Sequence, residues 1–461
     1  MDVPAVCAGA PLRFPDGFPD TVAEALRTAA AHSPDAGTVT VDGSGHGELV
    51  SYPRLLERAR RLATALRGSG SPGDPVVVYA RDPADLITGF WGGVYAGVPP
   101  LLLARPAGPD TETAADRLRH ATRLLGEPLI LARPDELPPD GRWRWLDPDT
   151  AERAAPAGEA YRPEAGEPAL LLMSSGSTGA GKLIPLTHHG LREFAAGTAE
   201  IMPLRPGDTS LNWMPLDGSG SFLLYHLYQV YGGTTNVHAS ADWVLADPLR
   251  WLDLIAAHRV AHAWAPNFAY RLVSQALRDA PGRGWDLSSV RTLVSGGEQI
   301  TVPVMEGFFD AVAGSGLSRE VFVPAWGMTE TCTAATHARY TAPGGIHHLR
   351  AGSLGGDLEW LDGPGEDAVS LVSVGAPAPG ITVRIVDERH RRRAGSGDCR
   401  SAPGGSPLAT WRIRRRPVPP SRRVPAAGSR PAIWRTCGTA RSRSPAGWRT
   451  GSCSTVTTTT P

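Results

Sequence analysis

The stretch Ser174–Lys182, with the sequence SSGSTGAGK, carries the strongest structural signal in this chain. It follows the apolar run Ala169–Met173, which predicts a buried strand, and it ends on the only lysine of a 461-residue sequence. The sequence holds 46 lysine and arginine residues, so the other 45 are arginines. A compact ammonium and a planar guanidinium are not equivalent where a phosphate is bound as a point charge. We therefore expect Lys182 to contact a phosphate group.

The loop also offers backbone N–H groups and hydroxyls, which can surround a phosphate where a strand leads into a helix, here predicted after Thr187. The residues expected to contact the phosphates are Ser174, Ser175, Gly176, Ser177, Thr178, Gly179 and Lys182. The spacing of Gly176 and Gly181 before Lys182 nearly matches a Walker A motif. Leu183, however, stands where that motif needs a hydroxyl for magnesium. For the loop alone, a P-loop NTPase and a plain Ser/Gly surface turn are the alternatives.

Length and composition predict a globular protein of two or three domains, with 41% hydrophobic and 20% charged residues. No charged amino-terminal region precedes an apolar stretch, and no apolar run reaches the roughly 18 residues of a membrane span. The five cysteines show no spacing typical of a metal site or a disulfide framework. We therefore expect a cytoplasmic protein without a membrane partner.

The charge is divided unevenly along the chain. From Arg389 onward there are 16 arginines and one acid, which leaves 30 basic and 45 acidic residues in the preceding part. The acidic body argues against a specific nucleic-acid partner. The tail lacks apolar periodicity and can be a disordered basic tail, a nucleic-acid arm or an out-of-frame translation. We favour the last, because the codons of Thr455–Pro461 can spell Gly-Asp-Asp-Tyr-Tyr-Pro from their third bases.

Apolar runs that alternate with helical patterns predict an α/β fold with a parallel or mixed sheet covered on both faces. The predicted helices are Thr21–Ala31, Tyr52–Leu66 and Leu86–Ala96. The predicted strands, besides Ala169–Met173, are Thr38–Val41, Pro75–Tyr79, Val98–Leu103, Leu129–Ala132, Ser210–Met214, Thr234–His238, Arg291–Ser295, Glu320–Pro324 and Ile381–Val386.

The loop resembles the phosphate loop of the AMP-forming adenylating enzymes, a superfamily of acyl-CoA synthetases, luciferases and nonribosomal-peptide adenylation domains. The usual form is T-S-G-[ST]-T-G-x-P-K-G, and this chain has Gly181 for the proline and Leu183 for the last glycine. The sequence PAWGMTE, Pro324–Glu330, is similar to the aromatic-Gly-x-Thr-Glu motif of the family. The resemblance implies that Trp326 stacks on adenine. It also implies that Thr329 contacts the α-phosphate and that Glu330 holds Mg²⁺.

Two more segments resemble the family, SGGEQI at Ser295–Ile300 and VGAPAPG at Val374–Gly380. The nucleotide contacts that these motifs imply come from Gly296, Gly297, Glu298, Trp326, Gly327, Met328 and Thr329. The implied catalytic residues are Lys182, Thr329 and Glu330.

The resemblance covers residues 20–388 and implies the large α/β amino-terminal domain of the superfamily, with layered αβ sheets and a small β subdomain. Residues 1–19 are then an amino-terminal extension, and residues 389–461 are the basic low-complexity tail. The family's Thr-Gly-Asp motif and second lysine are not found in the translated sequence. We therefore expect the small carboxyl-terminal domain to be missing.

Within the superfamily, Asn212–Leu227 and His262–Val273 look most like fatty-acyl-AMP ligases and the acyl-ligase modules of polyketide and peptide synthases. This likeness implies a substrate pocket formed by Asp217, Gly218, Trp264, Pro266, Asn267 and Phe268. Gly218 replaces a histidine that many relatives carry. Asp217 either anchors a substrate amino group or is a turn residue beside Gly218.

The implied activity is ATP-dependent activation of a carboxylic acid as acyl-AMP, with Mg²⁺. The acyl group then passes to the phosphopantetheine thiol of an acyl or peptidyl carrier protein, or to coenzyme A, in polyketide, nonribosomal peptide or lipid biosynthesis. The alternative is a truncated, catalytically weak remnant that binds nucleotide or acyl-AMP.

Overall fold

The computed structural model describes residues 5–387 apart from 107–110, 140, 175–180, 280–281, 342–343 and 355–357. It also describes short strands further on, at Ala409–Arg415, Trp434–Thr436, Ala440–Ser442, Arg449–Gly451 and Ser454–Val456. Residues 175–179 of the predicted phosphate loop therefore lie outside the described part of the chain.

The helices α1–α11 are numbered in chain order. They are Val22–His32, Tyr52–Arg67, Pro83–Ala96, Thr111–Leu125, Pro148–Ala151, His188–Ile201, Tyr228–Tyr231, Ala241–Ala246, Arg250–Ala257, Asn267–Asp279 and Val302–Ala311. A π-helical stretch, Gly220–Leu227, runs directly into α7.

The strands β1–β20 are numbered in the same way. They are Ala5–Ala8, Gly37–Val41, Gly47–Ser51, Val76–Ala80, Pro100–Ala104, Leu129–Leu131, Trp145–Leu146, Pro168–Met173, Leu183–Thr187, Thr209–Asn212, Thr235–Ala239, His262–Ala265, Thr292–Ser295, Phe322–Met328, Thr333–His337, Ile346–Arg350, Trp360–Leu361, Ala368–Val372, Ala376–Pro377 and Ile381–Asp387.

Two large mixed sheets form the body of the protein. The first has the strand order β19-β15-β14-β13-β12-β10-β11-β2-β3, and its strands from β14 to β2 are parallel. The second has the order β7-β6-β4-β5-β8-β9 and is parallel except for the pair β8–β9. Smaller sheets join β16 with β17 and β18, and β1 with β20. These layers confirm the predicted α/β class.

The second sheet shows why the sequence folds this way. All residues of β4, Val76–Ala80, are buried, as expected for a parallel strand covered on both faces. Helix α3, which is almost wholly buried, follows β4 and packs against α2. It begins where the Asp82 side chain accepts a hydrogen bond from the Ala84 N–H (2.8 Å) and ends at Gly97, whose φ of 79° is left-handed.

The predicted elements are found with shifts of a few residues at their ends, but one connection was wrong. The sequence predicted that the Ser174–Lys182 loop leads into a helix, whereas β9 lies between the loop and α6. Ile184 and Leu186 are buried on one side of β9 and pair with Leu172 and Leu170 of β8. Alternation of this kind is typical of a strand. The two described ends of the loop, Ser174 and Lys182, thus continue the antiparallel pair β8–β9.

The carboxyl ends of the parallel strands β12, β13 and β14 lie along one edge of the first sheet. Ligands of open α/β sheets bind at such an edge. Three of the predicted site segments follow or end these strands. They are Trp264–Phe268, Ser295–Glu298 and Trp326–Glu330. Among the described residues, every helix is too short or too polar to traverse a lipid bilayer.

Candidate active site

The neck of the Ser174–Lys182 loop is closed by two hydrogen bonds. The Ser174 N–H donates to the Lys182 carbonyl (2.9 Å), and the Lys182 N–H donates to the Ser174 hydroxyl (3.2 Å). His120 Nε2 donates to the Gly181 carbonyl (2.8 Å) and so ties the neck to helix α4. A Cβ at Gly181 would lie 2.7 Å from the Met173 side chain. The two described ends of the loop, Ser174 and Lys182, are therefore held next to each other.

A tight turn follows β14 and carries two of the predicted catalytic residues. The pairing of β14 with β15 shifts between Trp326 and Gly327, and a Cβ at Gly327 would lie 1.7 Å from the Thr333 carbonyl oxygen. Cys332 and Thr333 have φ values of 53° and 78°. Consecutive left-handed conformations at non-glycine residues are strained, and such strain clusters at functional sites. This turn presents Thr329 and Glu330, and β9 packs against it.

Glu330 fits the magnesium role that the resemblance implies. Its side chain is half-buried, and within the described ranges no basic side chain forms an ion pair with its carboxylate. No group of three or more potential metal ligands occurs in that same part of the chain. Mg²⁺ at phosphate-transfer sites is held by one or two carboxylates together with the substrate's phosphates. A single carboxylate such as Glu330 is therefore compatible with the predicted magnesium role.

The Ser295–Glu298 segment lies next to Trp326. Gly297 has a φ of 84°, and a Cβ at Gly296 would lie 3.0 Å from the Ala325 carbonyl oxygen. Glu298 Oε1 accepts a hydrogen bond from the Phe268 N–H (2.6 Å) at the start of α10. The glycine pair thus permits a close approach to the strand that carries Trp326. Glu298 caps a helix, which favours a supporting role over direct contact with the nucleotide.

The predicted acyl pocket is built around Trp264. The ring lies against Gly220, where a Cβ would be 3.3 Å from Trp264 Cη2 and 3.6 Å from Thr333 Oγ1. Ser219 Oγ is 3.4 Å from Thr329 Oγ1, so the start of the π-helical stretch contacts the turn after β14. π-Helical turns are frequent at functional sites. The structure therefore brings the Gly218–Gly220 segment, Trp264 and Thr329 together.

The hydrogen bonds of Asp217 are made to residues outside this group. Its Oδ2 accepts hydrogen bonds from the Arg117 guanidinium (2.6 Å) and from the Ala104 N–H (3.2 Å). Since a guanidinium already neutralises this carboxylate, the geometry favours the turn-residue interpretation over binding of a substrate amino group. Arg117 and His120 lie on one face of α4 and hold the Asp217 turn and the loop neck. The sequence analysis missed both residues.

The other predicted pocket residues are occupied by structural contacts. Asn267 Oδ1 accepts from the Thr301 N–H (3.0 Å), and the Phe268 ring packs edge-on against Trp213 at 6.5 Å between centroids. Pro266 is buried. These side chains support the end of β12, which leaves Trp264 and Gly218 as the candidates for the predicted pocket.

A buried polar network lies behind the pocket. His226 Nδ1 and His238 Nε2 both donate to Asn236 Oδ1, at 3.0 and 2.9 Å. His226 Nε2 accepts from Trp91 Nε1–H at 2.9 Å. Burial lowers the pKa of His226 to about 4 and that of His238 well below its ordinary value. Both histidines are thus neutral structural residues of the core.

The parallel edge, the lysine hairpin and the Thr-Glu turn are the arrangement expected of an α/β enzyme of the adenylate-forming kind. Residues 26–398 match the AMP-binding enzyme family. The chain belongs to this family, whose members are AMP-forming ligases. Adenylate-forming enzymes use ATP and Mg²⁺.

Individual relatives agree with this assignment. The chain is 29% identical over 387 residues to Aspulvinone E synthetase melA of Aspergillus terreus, covering 80% of this chain and 40% of the relative. It thus spans about two fifths of the length of curated relatives of this kind.

Solved structures show the same fold. The adenylation domain of a keto acid-selecting NRPS module bound to keto acyl adenylate has a TM-score of 0.76 and 27% identity, with 84% of this chain and 75% of that chain covered. A fatty acid AMP ligase from Legionella pneumophila has a TM-score of 0.73 and 23% identity. The match covers 80% of this chain and 65% of that chain. This second likeness shows the fold alone.

Proposed function

We propose that the chain activates a carboxylic acid as acyl-AMP. A carboxylate oxygen of the acid attacks the α-phosphorus of ATP, the bond from that phosphorus to the bridging oxygen breaks, and pyrophosphate leaves with the electron pair. The observation that carries the proposal is the meeting of the Thr329–Glu330 turn with the glycine segment at Ser219 and with the lysine hairpin through β9. These groups surround one edge of the sheet, where a nucleotide and an acid can lie side by side.

The roles follow from the chemistry of the side chains. The Lys182 ammonium would neutralise charge that develops on the phosphates, and the Thr329 hydroxyl would donate a hydrogen bond to the α-phosphate. Trp326 offers an aromatic face for adenine beside the Gly296–Gly297 turn. When bound at Glu330, Mg²⁺ would supply positive charge at the phosphate oxygens. Positioning and charge neutralisation are sufficient for this class of reaction.

We further propose that the acyl group passes to the phosphopantetheine thiol of an acyl or peptidyl carrier protein, with coenzyme A as the other acceptor. The support is the likeness to NRPS proteins, including an adenylation and carrier pair complexed with phenylalanyl-adenylate, which is 27% identical. Thiol attack on the acyl carbonyl releases AMP and gives the thioester.

The test is acid-dependent exchange of labelled pyrophosphate into ATP by the full chain, across aliphatic, aromatic, keto and amino acids. We expect exchange with one class of acid, and its loss in Glu330→Ala. ATP binding without exchange for any acid would instead favour the alternative of a weak nucleotide-binding remnant. Absence of both ATP binding and exchange in a folded sample would refute the proposed function.

A further inference from the structure

Two parts of the candidate site are held by one face of helix α4. Arg117 and His120 lie three residues apart on this helix, and residues at that spacing are neighbours on a helix surface. His120 Nε2 donates to the carbonyl of Gly181 (2.8 Å), the residue before Lys182. A guanidinium nitrogen of Arg117 donates to Asp217 Oδ2 (2.6 Å). The helix thus contacts both the loop neck and the turn that follows β10.

Helix α4 is itself anchored to the second large sheet. Its residues Ala114, Leu118 and Ala121 are buried and recur at helical spacing. They belong to an apolar cluster that includes side chains of β4, β5 and β8. Met173 and Leu183, which stand on either side of the loop neck, pack against the same cluster. The helix and the neck are therefore fixed to one common support.

Asp217, by contrast, comes from the first sheet. It lies in the turn after β10, whereas the Ala104 N–H that it also binds ends β5 of the second sheet. The Asp217 side chain is only 9% exposed, so its charge depends on these partners. Removing the guanidinium of Arg117 would leave that carboxylate without its counter-charge. The ion pair thus fastens the two sheets to each other at the edge where the site lies.

The position of this ion pair matters for the proposed reaction. We call Asp217–Ser219 the acid-side turn, because it contains Gly218, a candidate for the predicted substrate pocket. Ser219 Oγ is 3.4 Å from Thr329 Oγ1, so the turn meets the predicted α-phosphate contact. Lys182 borders β9 of the second sheet, whereas Thr329 follows β14 of the first. A displacement of about 1 Å between reacting groups can cost about a hundredfold in rate, so the spacing of these parts controls catalysis.

We propose that helix α4 aligns the two halves of the site, with Arg117 and His120 as its positioning residues. Arg117 fixes the acid-side turn through Asp217, and His120 fixes Lys182 through the Gly181 carbonyl. Both act through a neighbouring group rather than on the substrates. This inference rests on the proposed function, because it concerns how the acid and the nucleotide of that site are aligned.

The experiment measures KM for ATP and KM for the acid in pyrophosphate exchange by the full chain. Arg117→Met keeps the length of the side chain but removes its charge. It should raise KM for the acid about tenfold and change KM for ATP less than about twofold, because a hydrogen bond to a charged group on the acid side is lost. His120→Leu removes a neutral donor and should raise KM for ATP about fivefold, with little change in KM for the acid.

Conservative variants and a control separate alignment from general damage. Arg117→Lys keeps a positive charge and His120→Gln keeps an N–H donor, so both should recover most of the wild-type values. Asp116→Asn is the matched control. Asp116 is 70% exposed and forms its ion pair (2.7 Å) with Arg119 of the same helix, away from both contacts, so its removal should change neither KM. Should Arg117→Met fail to fold, Arg117→Gln takes its place.

Three results would overturn the proposal. One is wild-type behaviour of both Arg117→Met and His120→Leu. The second is an equal rise of both KM values in each variant, which indicates a general loosening of the fold. The third is a loss in Asp217→Asn that is confined to amino acid substrates, because Asp217 would then bind the substrate instead of Arg117.

Failure of the proposed function would be visible separately, as a wild type that exchanges pyrophosphate with no acid. Calorimetry with ATP and Mg²⁺ and urea unfolding then test the alignment. It is supported if His120→Leu binds ATP more weakly than His120→Gln does, and if Arg117→Met combined with Asp217→Asn loses no more stability than Arg117→Met alone. Equal ATP binding by the two His120 variants, or additive losses of stability, would reject it.

Discussion

Lowering the pH should destabilise the protein through His226, and the size of the effect can be worked out from its contacts. Asn236 Oδ1 can only accept, so His226 Nδ1 must carry the proton of the 3.0 Å hydrogen bond. Trp91 Nε1–H can only donate, so His226 Nε2 must accept it. A second proton on the ring would face the indole N–H. Burial and this geometry keep the imidazole neutral and lower its pKa to about 4.

The direction of the change in stability follows from the linkage between proton binding and folding. In the unfolded chain a histidine has a pKa of about 6.5, so between that value and the folded pKa the unfolded state binds more protons. The stability contributed by His226 is therefore complete above pH 6.5 and is lost as the pH falls toward about 4. From pH 7.5 to 5, the free energy of unfolding should fall by about 2 kcal/mol from this residue alone.

The assay is urea unfolding at pH 7.5 and at pH 5, for the wild type and for His226→Gln. The variant lacks the titrating group, so its loss of stability on acidification should be smaller by about 2 kcal/mol, even if its stability at pH 7.5 is lower. His46→Gln, at an exposed position, is the matched control and should behave as the wild type does. The reasoning is refuted if His226→Gln loses as much stability on acidification as the wild type.

Three further predictions concern the site and the tail. Lys182→Arg should slow pyrophosphate exchange at least about tenfold with little change in melting temperature, because the planar guanidinium fits a compact phosphate site poorly. Arg162→Lys, at a position where the arginine side chain is 88% exposed, is the control. A lower melting temperature with unchanged exchange would instead make Lys182 structural. Gly327→Ala should abolish exchange, because its Cβ would lie 1.7 Å from the Thr333 carbonyl oxygen, whereas Gly284→Ala, with nothing within 4 Å, should not. Full activity in Gly327→Ala would show that the turn is not needed in this form. The out-of-frame interpretation predicts that the codon of Thr455 ends in G and those of Thr458 and Thr459 in T, and nucleotide sequencing that finds other bases removes it.

Much of the fold could be predicted because its strands are continuous apolar runs. Val76–Ala80 and Pro100–Ala104 pair as parallel neighbours, as buried apolar runs between helical segments indicate. The short strand Leu183–Thr187 was missed because alternation over five residues, with a proline inside, is a weak signal. This strand separates the predicted phosphate loop from helix α6.

The sequence motifs of the candidate site could be predicted, but the distant residues that hold those motifs in place could not. Trp326, Thr329 and Glu330 lie together because they are neighbours in sequence. The partner of Asp217 is Arg117, 100 residues earlier, and His120 reaches Gly181 across 61 residues. Contacts at such separations depend on how the sheets and helices pack, and no local pattern in one sequence reports them. Asn212 is a similar case, since the hydrogen bond that its Oδ1 accepts from Trp264 Nε1–H joins the ends of two different strands.

The most direct test of the central claim follows one oxygen atom. If the acid's carboxylate attacks the α-phosphorus of ATP, an acid labelled with ¹⁸O in its carboxyl group leaves one labelled oxygen in the AMP formed after thiol attack on the acyl carbonyl. Mass spectrometry of the nucleotide products, with the full chain, Mg²⁺, ATP and the acid that supports exchange, should show AMP that carries a single ¹⁸O. Formation of ADP, or of AMP without the label, would contradict acyl-AMP formation at this site.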